Sequence, residues 1–129
     1  MIVLDSSAVL AVLLRESAEP ALVARLEQGD ALSMSVASVL ECVLRLASSP
    51  GKDDSPQLDA FLRLYQVDVR AVDLAQLGLA RAAFLAFGKG RHPARLNFGD
   101  CFAYALAKSL DAPLLYVGED FSRTDLIAA

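Results

Sequence analysis

The sequence predicts an α/β fold: a single domain over residues 1–129, with a short parallel sheet of about four to five strands and helices on both faces. Three observations predict it. Short runs of strand length and apolar character recur at 1–4, 31–34, 67–72 and 114–117. The segments between them carry apolar residues at helical spacing and are long enough for the crossovers that parallel neighbours need. Hydrophobic residues make up 55% of the chain, with a mean hydropathy of +0.42, so most segments must be covered on more than one side. The 129 residues suffice for one core and are too few for two.

The elements follow in order. Residues 1–4 have no polar break and form a strand buried on both faces; Asp5 stands where it runs out, ahead of Ser6 and Ser7. Val9, Leu10, Leu13 and Leu14 place a helix over 7–14, which Arg15, Glu16 and Ser17 break. A second helix runs from Glu19 or Pro20 to Gln28. Pro20 fits its first turn, and Gly29 suits the left-handed position past its end. Residues 31–34 are the second strand. Ser35 then caps a helix whose apolar stripe is Val36, Val39, Leu40, Val43 and Ala47, with Glu41 on the flank. Residues 48–56 are a polar surface loop. Leu58, Phe61, Leu62 and Tyr65 make an amphipathic helix, and 67–72 alternate like a strand exposed on one side. Asp73 caps a long Ala- and Leu-rich helix to Phe87, and 88–95 are a mobile basic loop. Asn97 opens the last long helix, through Leu110, and 114–117 form the closing strand before a short tail.

Composition excludes several classes. The longest apolar runs, 8–14 and 101–107, fall well short of the about 20 residues that span a bilayer. Asp5 interrupts the apolar start and no basic residue precedes it, so no secretory leader is expected and the chain reads as cytoplasmic. Cys42 and Cys101 lie far apart in apolar helical patterns, as buried free thiols do. With no CxxC pair and His92 the only histidine, a zinc site is not expected. The net charge is −4 and the pI about 4.8. A passive nucleic-acid binder shows basic excess. Acidity fits such a partner only if several carboxylates are metal ligands, because bound cations reverse the local sign.

The carboxylates fall where that would happen. Asp5 follows the first strand and Asp120 the last, on one edge of a parallel sheet. Glu41, in the helix after the second strand, and Asp100, in the first turn of the last long helix, can face the same edge. Four like charges gathered there repel, and a divalent cation removes the conflict. Hard oxygen ligands select Mg²⁺ or Mn²⁺, which also prefer phosphate oxygens. Such ions activate water and neutralise a phosphoryl group, and two of them about 3.5–4 Å apart can serve both sides of an in-line displacement. Each acid also has a plainer use. Asp5 can cap a helix, Glu41 can pair with Arg45, Asp100 can complete a capping box with Asn97, and Asp120 can be a turn residue.

At these residues the chain resembles the PIN-domain proteins, and specifically the VapC-type toxins of bacterial toxin–antitoxin pairs. The likeness runs over essentially the whole length. Its carriers are residues 1–7, the Glu41 helix from Ser35, the segment 91–107 around Asp100, and 114–125 around Asp120. It implies a PIN-like nuclease domain, a metal-dependent endoribonuclease acting on structured RNA such as tRNA or rRNA, a homodimer, and a cognate antitoxin whose tail enters the site. By position it makes Asp5, Glu41 and Asp100 the metal ligands and catalytic acids. Asp120 is the fourth acid, with Glu119 and Asp125 near enough to share its part. Ser7 matches the hydroxyl that supports the first aspartate.

Lys89, Arg91, His92 and Arg95 concentrate positive charge just before Asn97 and Asp100, as phosphate contacts beside a metal site would. Ser7, Arg91, His92, Arg95 and Asn97 are therefore the candidate substrate-binding residues. Tyr65, Tyr104 and Tyr116 belong to core patterns. Two rival readings are a magnesium-binding, phosphate-accepting receiver-like domain and a non-catalytic interaction module. The first lacks the adjacent acid at Asp5 and the lysine after the last strand; the second needs the acids scattered over the surface.

Overall fold

A computed structural model describes residues 1–129. Its order is β1 (Ile2–Leu4), α1 (Ser6–Leu13), α2 (Glu19–Leu26), β2 (Leu32–Ser35), α3 (Val36–Leu46), α4 (Ser55–Leu64), β3 (Asp68–Arg70), α5 (Leu74–Phe87), α6 (Phe98–Ser109), β4 (Leu114–Leu115) and a 3₁₀ turn at Phe121–Arg123. The four strands are all parallel, in the order β3-β2-β1-β4. Val3 pairs with Ser33 on one side and with Leu114 on the other. The chain leaves β1 toward β2 and returns on β1's far side as β4. Strand order therefore reverses at β1, and ligand sites of open α/β sheets lie at the carboxyl ends of the strands beside such a reversal.

The strand period divides the core in two. Ile2, Leu4, Leu32, Met34 and Leu115 face the helices α1 to α4. Val3 and Leu114 face α5 and α6, with Ala103, Ala105, Leu106 and Ala107. β1 is apolar throughout because both its faces are covered. β3 is the edge strand, but it spans only three of the residues 67–72, and with Asp68 and Val69 both exposed and Arg70 half-buried it is not covered on either face as the alternation predicts.

Several expectations shift. In α3 the buried face is Ser38, Cys42 and Leu46, while Val36 and Leu40 are exposed. Val39 and Val43 of the expected stripe do pack against the core, so the buried face is turned from the expected one rather than opposite to it. β4 ends at Leu115 because Ser7 Oγ accepts the Val117 N–H at 3.0 Å and draws the chain out of the ladder. The basic loop is knitted to its neighbours rather than loose. Lys89 N–H donates to Leu96 O, Leu96 N–H to Phe87 O, and His92 N–H to Gly88 O, with Ala94 and Leu96 buried. Cys42 and Cys101 are buried free thiols. No helix is long and apolar enough to cross a membrane.

Candidate active site

Asp5 is placed by β1 and oriented by α1. Its backbone N–H continues the ladder to Leu115 O at 3.0 Å, and its Oδ2 accepts the Ser7 N–H as the N-cap of α1, also at 3.0 Å. The side chain is buried, and Oδ1 is left without a hydrogen-bond partner. Asp100 repeats this plan in the capping box of α6. Its Oδ2 accepts the Asn97 N–H at 3.0 Å, and Asn97 Oδ1 accepts the Asp100 N–H at 2.9 Å. Helix capping and a role at the cleft are therefore compatible: each aspartate spends one oxygen on a helix start and keeps the other.

Glu41 makes no ion pair with Arg45. Its carboxylate instead lies over the backbone of Gly99, so closely that a Cβ on Gly99 would overlap it. Glu41 Oε1 is a second buried oxygen without a partner. Asp120 stands exposed just before the 3₁₀ turn, with no capping hydrogen bond from its side chain.

Asp5 and Asp100 are within electrostatic reach of each other, of Asp120 and of Glu41. Burial, then the charges of Asp5 and Asp100, push the Glu41 carboxyl up to about 7. Burial raises Asp100 to about 6, against its hydrogen bond to Asn97 and with help from Asp5 and Asp120. Burial also raises Asp5, opposed by hydrogen bonds from Ser7 and Ser6 and reinforced by Asp120. Beside them, burial and the Asp5 and Glu41 charges push the Cys42 thiol to about 12, so it is no nucleophile. As they stand, no three of these side chains close into a group that would hold an ion. Asp5 and Asp120 follow β1 and β4 at the carboxyl edge of the sheet, and Glu41 lies over Gly99 beside Asp100. Two buried oxygens without donors beside further carboxylates form a donor set that fits a hard divalent cation.

The neighbouring acids separate. Asp120 adds to the shifts of Asp5 and Asp100, and Glu119 adds to neither. Asp125 is tied to the Tyr104 hydroxyl at 2.7 Å and to Lys108 Nζ at 2.6 Å.

Among the basic residues, Arg91 Nε donates to Leu85 O, and His92 Nδ1 accepts the Ala94 N–H while its ring meets Phe87 edge-on. Arg95 faces Asp120 across a polar cavity of about 210 Å³, together with Lys89 and Asn97. Tyr104 is buried as expected. Two residues escaped the sequence reading. Gly99 carried a signal, a glycine inside a helix start beside an acid. Arg123 carried none.

The chain belongs to the PIN domain family, whose profile matches residues 2–127. Within it the chain falls among the VapC ribonucleases. It is 44% identical over 124 residues to ribonuclease VapC30 of Mycobacterium tuberculosis, covering 96% of this chain and 95% of that one. It is 42% identical over 126 residues to ribonuclease VapC of Mycolicibacterium smegmatis, covering 98% of each. The fold matches that of Mycobacterium tuberculosis VapC20, a sarcin–ricin-loop-cleaving toxin, with TM-score 0.77 at 18% identity over 100% of this chain and 98% of that one. It also matches VapBC2 of Rickettsia felis bound to a promoter DNA fragment, with TM-score 0.76 at 16% identity over 100% and 98%. The family expected from the four carrier segments is the family found, and the receiver-like alternative falls with it.

Proposed function

We propose that this protein is a metal-dependent endoribonuclease that hydrolyses RNA phosphodiester bonds and is the toxin of a cytoplasmic toxin–antitoxin pair. The observation that carries the proposal is the pair of buried, unpartnered oxygens, Asp5 Oδ1 and Glu41 Oε1, in a cluster of acids at the strand-reversal cleft. The ribonuclease activity named for its relatives and the complexes among its structural neighbours support it.

In this reading Asp5, Glu41, Asp100 and Asp120 hold Mg²⁺ or Mn²⁺. Such a cation, when bound, makes an attacking water more acidic and neutralises charge on the phosphoryl and leaving oxygens. The chain's own part is preorganisation. Two aspartates are locked by helix-start hydrogen bonds before any ligand arrives, so little ordering remains at the moment of reaction. Ser7 steadies the first of them. Arg91, His92, Arg95 and Asn97 contact the RNA, with tRNA or rRNA as its class. The antitoxin and a second copy of this chain are its protein partners.

The test is Asp5→Asn and Asp100→Asn. Asparagine keeps the oxygen that each helix start uses, so both variants fold and melt at or above the wild-type temperature without metal. Each loses RNA cleavage by at least about 10³-fold, the scale of an essential preorganised electrostatic group. Near-wild-type cleavage by either variant refutes the assignment.

A further inference from the structure

Cations gather beside Asp120 in two polar cavities. The cavity of Lys89, Arg95, Asn97 and Asp120 adjoins a second, of about 230 Å³, lined by Pro93, Arg95, Glu119, Asp120 and Arg123. Arg95 and Asp120 line both, so the two form one polar trough running from Asp120 between the 88–97 loop and the 3₁₀ turn. The ion pairs of the chain use Arg25, Lys52, Arg70, Lys108 and the amino terminus. Lys89, Arg95 and Arg123 join none of them, although Glu119 and Asp120 are at hand. By contrast, α3 exposes Val36 and Leu40 around Glu41. A polyanion leaving the carboxylates meets cations in the trough and apolar side chains on α3.

We propose that the trough is a phosphate subsite: the RNA strand leaves the cleft over Arg95 and Arg123, which hold the backbone phosphate next to the scissile one. The inference rests on the nuclease reading and adds direction to it. Arg123, the cation contributed by the C-terminal turn, becomes a substrate-binding residue. Arg91 and His92, each with one contact inside its loop, line neither cavity, and their RNA contacts fall outside this subsite. Recognition is of the phosphate, so the subsite is indifferent to base sequence.

Binding of a fluorescein-labelled 12-nucleotide single-stranded RNA, titrated from 50 to 300 mM NaCl with Mn²⁺ present, tests it. Asp100→Asn serves as the parent so that the probe stays intact. For a single strand, each lost phosphate contact lowers the slope of log K on log salt by about 0.7. Arg95→Ala and Arg123→Ala should each do so, the double variant should lose about 1.4, and Arg63→Ala, on α4, should lose nothing. Cleavage by the same arginine variants in the wild-type background should fall chiefly through KM, with kcat kept. An unchanged slope while the wild-type protein still cleaves RNA overturns the subsite and leaves the nuclease reading standing. A wild-type protein that neither cleaves nor binds RNA overturns both. An unchanged RNA slope with lost antitoxin binding assigns the trough to a protein partner instead and overturns the proposal.

Discussion

At the scale of single residues, the site is a set of carboxylates divided between two duties. Asp5 and Asp100 each give one oxygen to a helix start and keep the other for the cleft. The charge that remains is costly without a counter-ion, and the cost has a sign. Glu41 is raised to about 7 and Asp100 to about 6 in the folded chain. Unfolded, both titrate near the ordinary carboxylate values. A raised carboxyl stabilises the fold at low pH, and that contribution is lost as pH rises through the folded pKa. The metal-free protein should therefore lose stability between pH 5 and pH 8. Discounted for the solvent that still reaches both groups, the loss is about 2 kcal/mol. Urea melts in EDTA across that range check this. Mn²⁺ at pH 8 should restore the loss, because an ion that binds only the folded state stabilises it. A flat pH profile in EDTA contradicts the clustering.

At the scale of elements, the contact that builds the site is α3 against α6. Gly99 is buried in the first turn of α6, and the Glu41 carboxylate occupies the space a side chain would take. Gly99→Ala should push that carboxylate aside. Only the far end of a flexible side chain has to move, so stability should change by less than about 1 kcal/mol while cleavage falls at least about tenfold. In a Glu41→Ala background the same substitution should cost nothing further, since the atoms it displaces are gone. Equal losses in both backgrounds would show that Gly99 acts on the packing of α6 and not through Glu41. The helix starts were open to sequence reasoning: Asp5, Ser35, Asp73 and Asn97 all cap where capping chemistry puts them. The buried face of α3 and the early end of β4 were not. The first depends on which of many apolar residues meets a neighbour, the second on one hydroxyl from a residue 110 positions away.

At the scale of the molecule, two apolar faces stay open. α5 and α6 present Leu77, Phe84 and Phe98 around a groove of about 250 Å³, and Leu74 nearby is 86% exposed. α3 and α4 present Leu40, Leu44 and Leu64. Exposed apolar surface of this extent marks contact with other chains, and the proposed function supplies two such partners. The protein should sediment as a dimer at 10 µM. One of two charge-bearing pairs, Leu77→Glu with Phe84→Glu or Leu40→Glu with Leu44→Glu, should convert it to a monomer. The other pair should leave the dimer intact and weaken the antitoxin complex. These side chains are already in water, so the substitutions spare the core. A wild-type monomer at that concentration removes the dimer from the account.

The sequence by itself determined the fold class, the helix starts and the buried thiols, and it marked four acids as candidates for one sheet edge. It could do so because apolar period, capping chemistry and chain order are local or follow from parallel connectivity. Only the tertiary structure decided which oxygens of those acids are left unpartnered, that Asp125 belongs to Lys108 and Tyr104, that Gly99 makes room for Glu41, and that Arg123 lies beside Arg95. Those outcomes depend on distances between segments far apart in the chain, and a spacing of residues along a sequence carries no such distance.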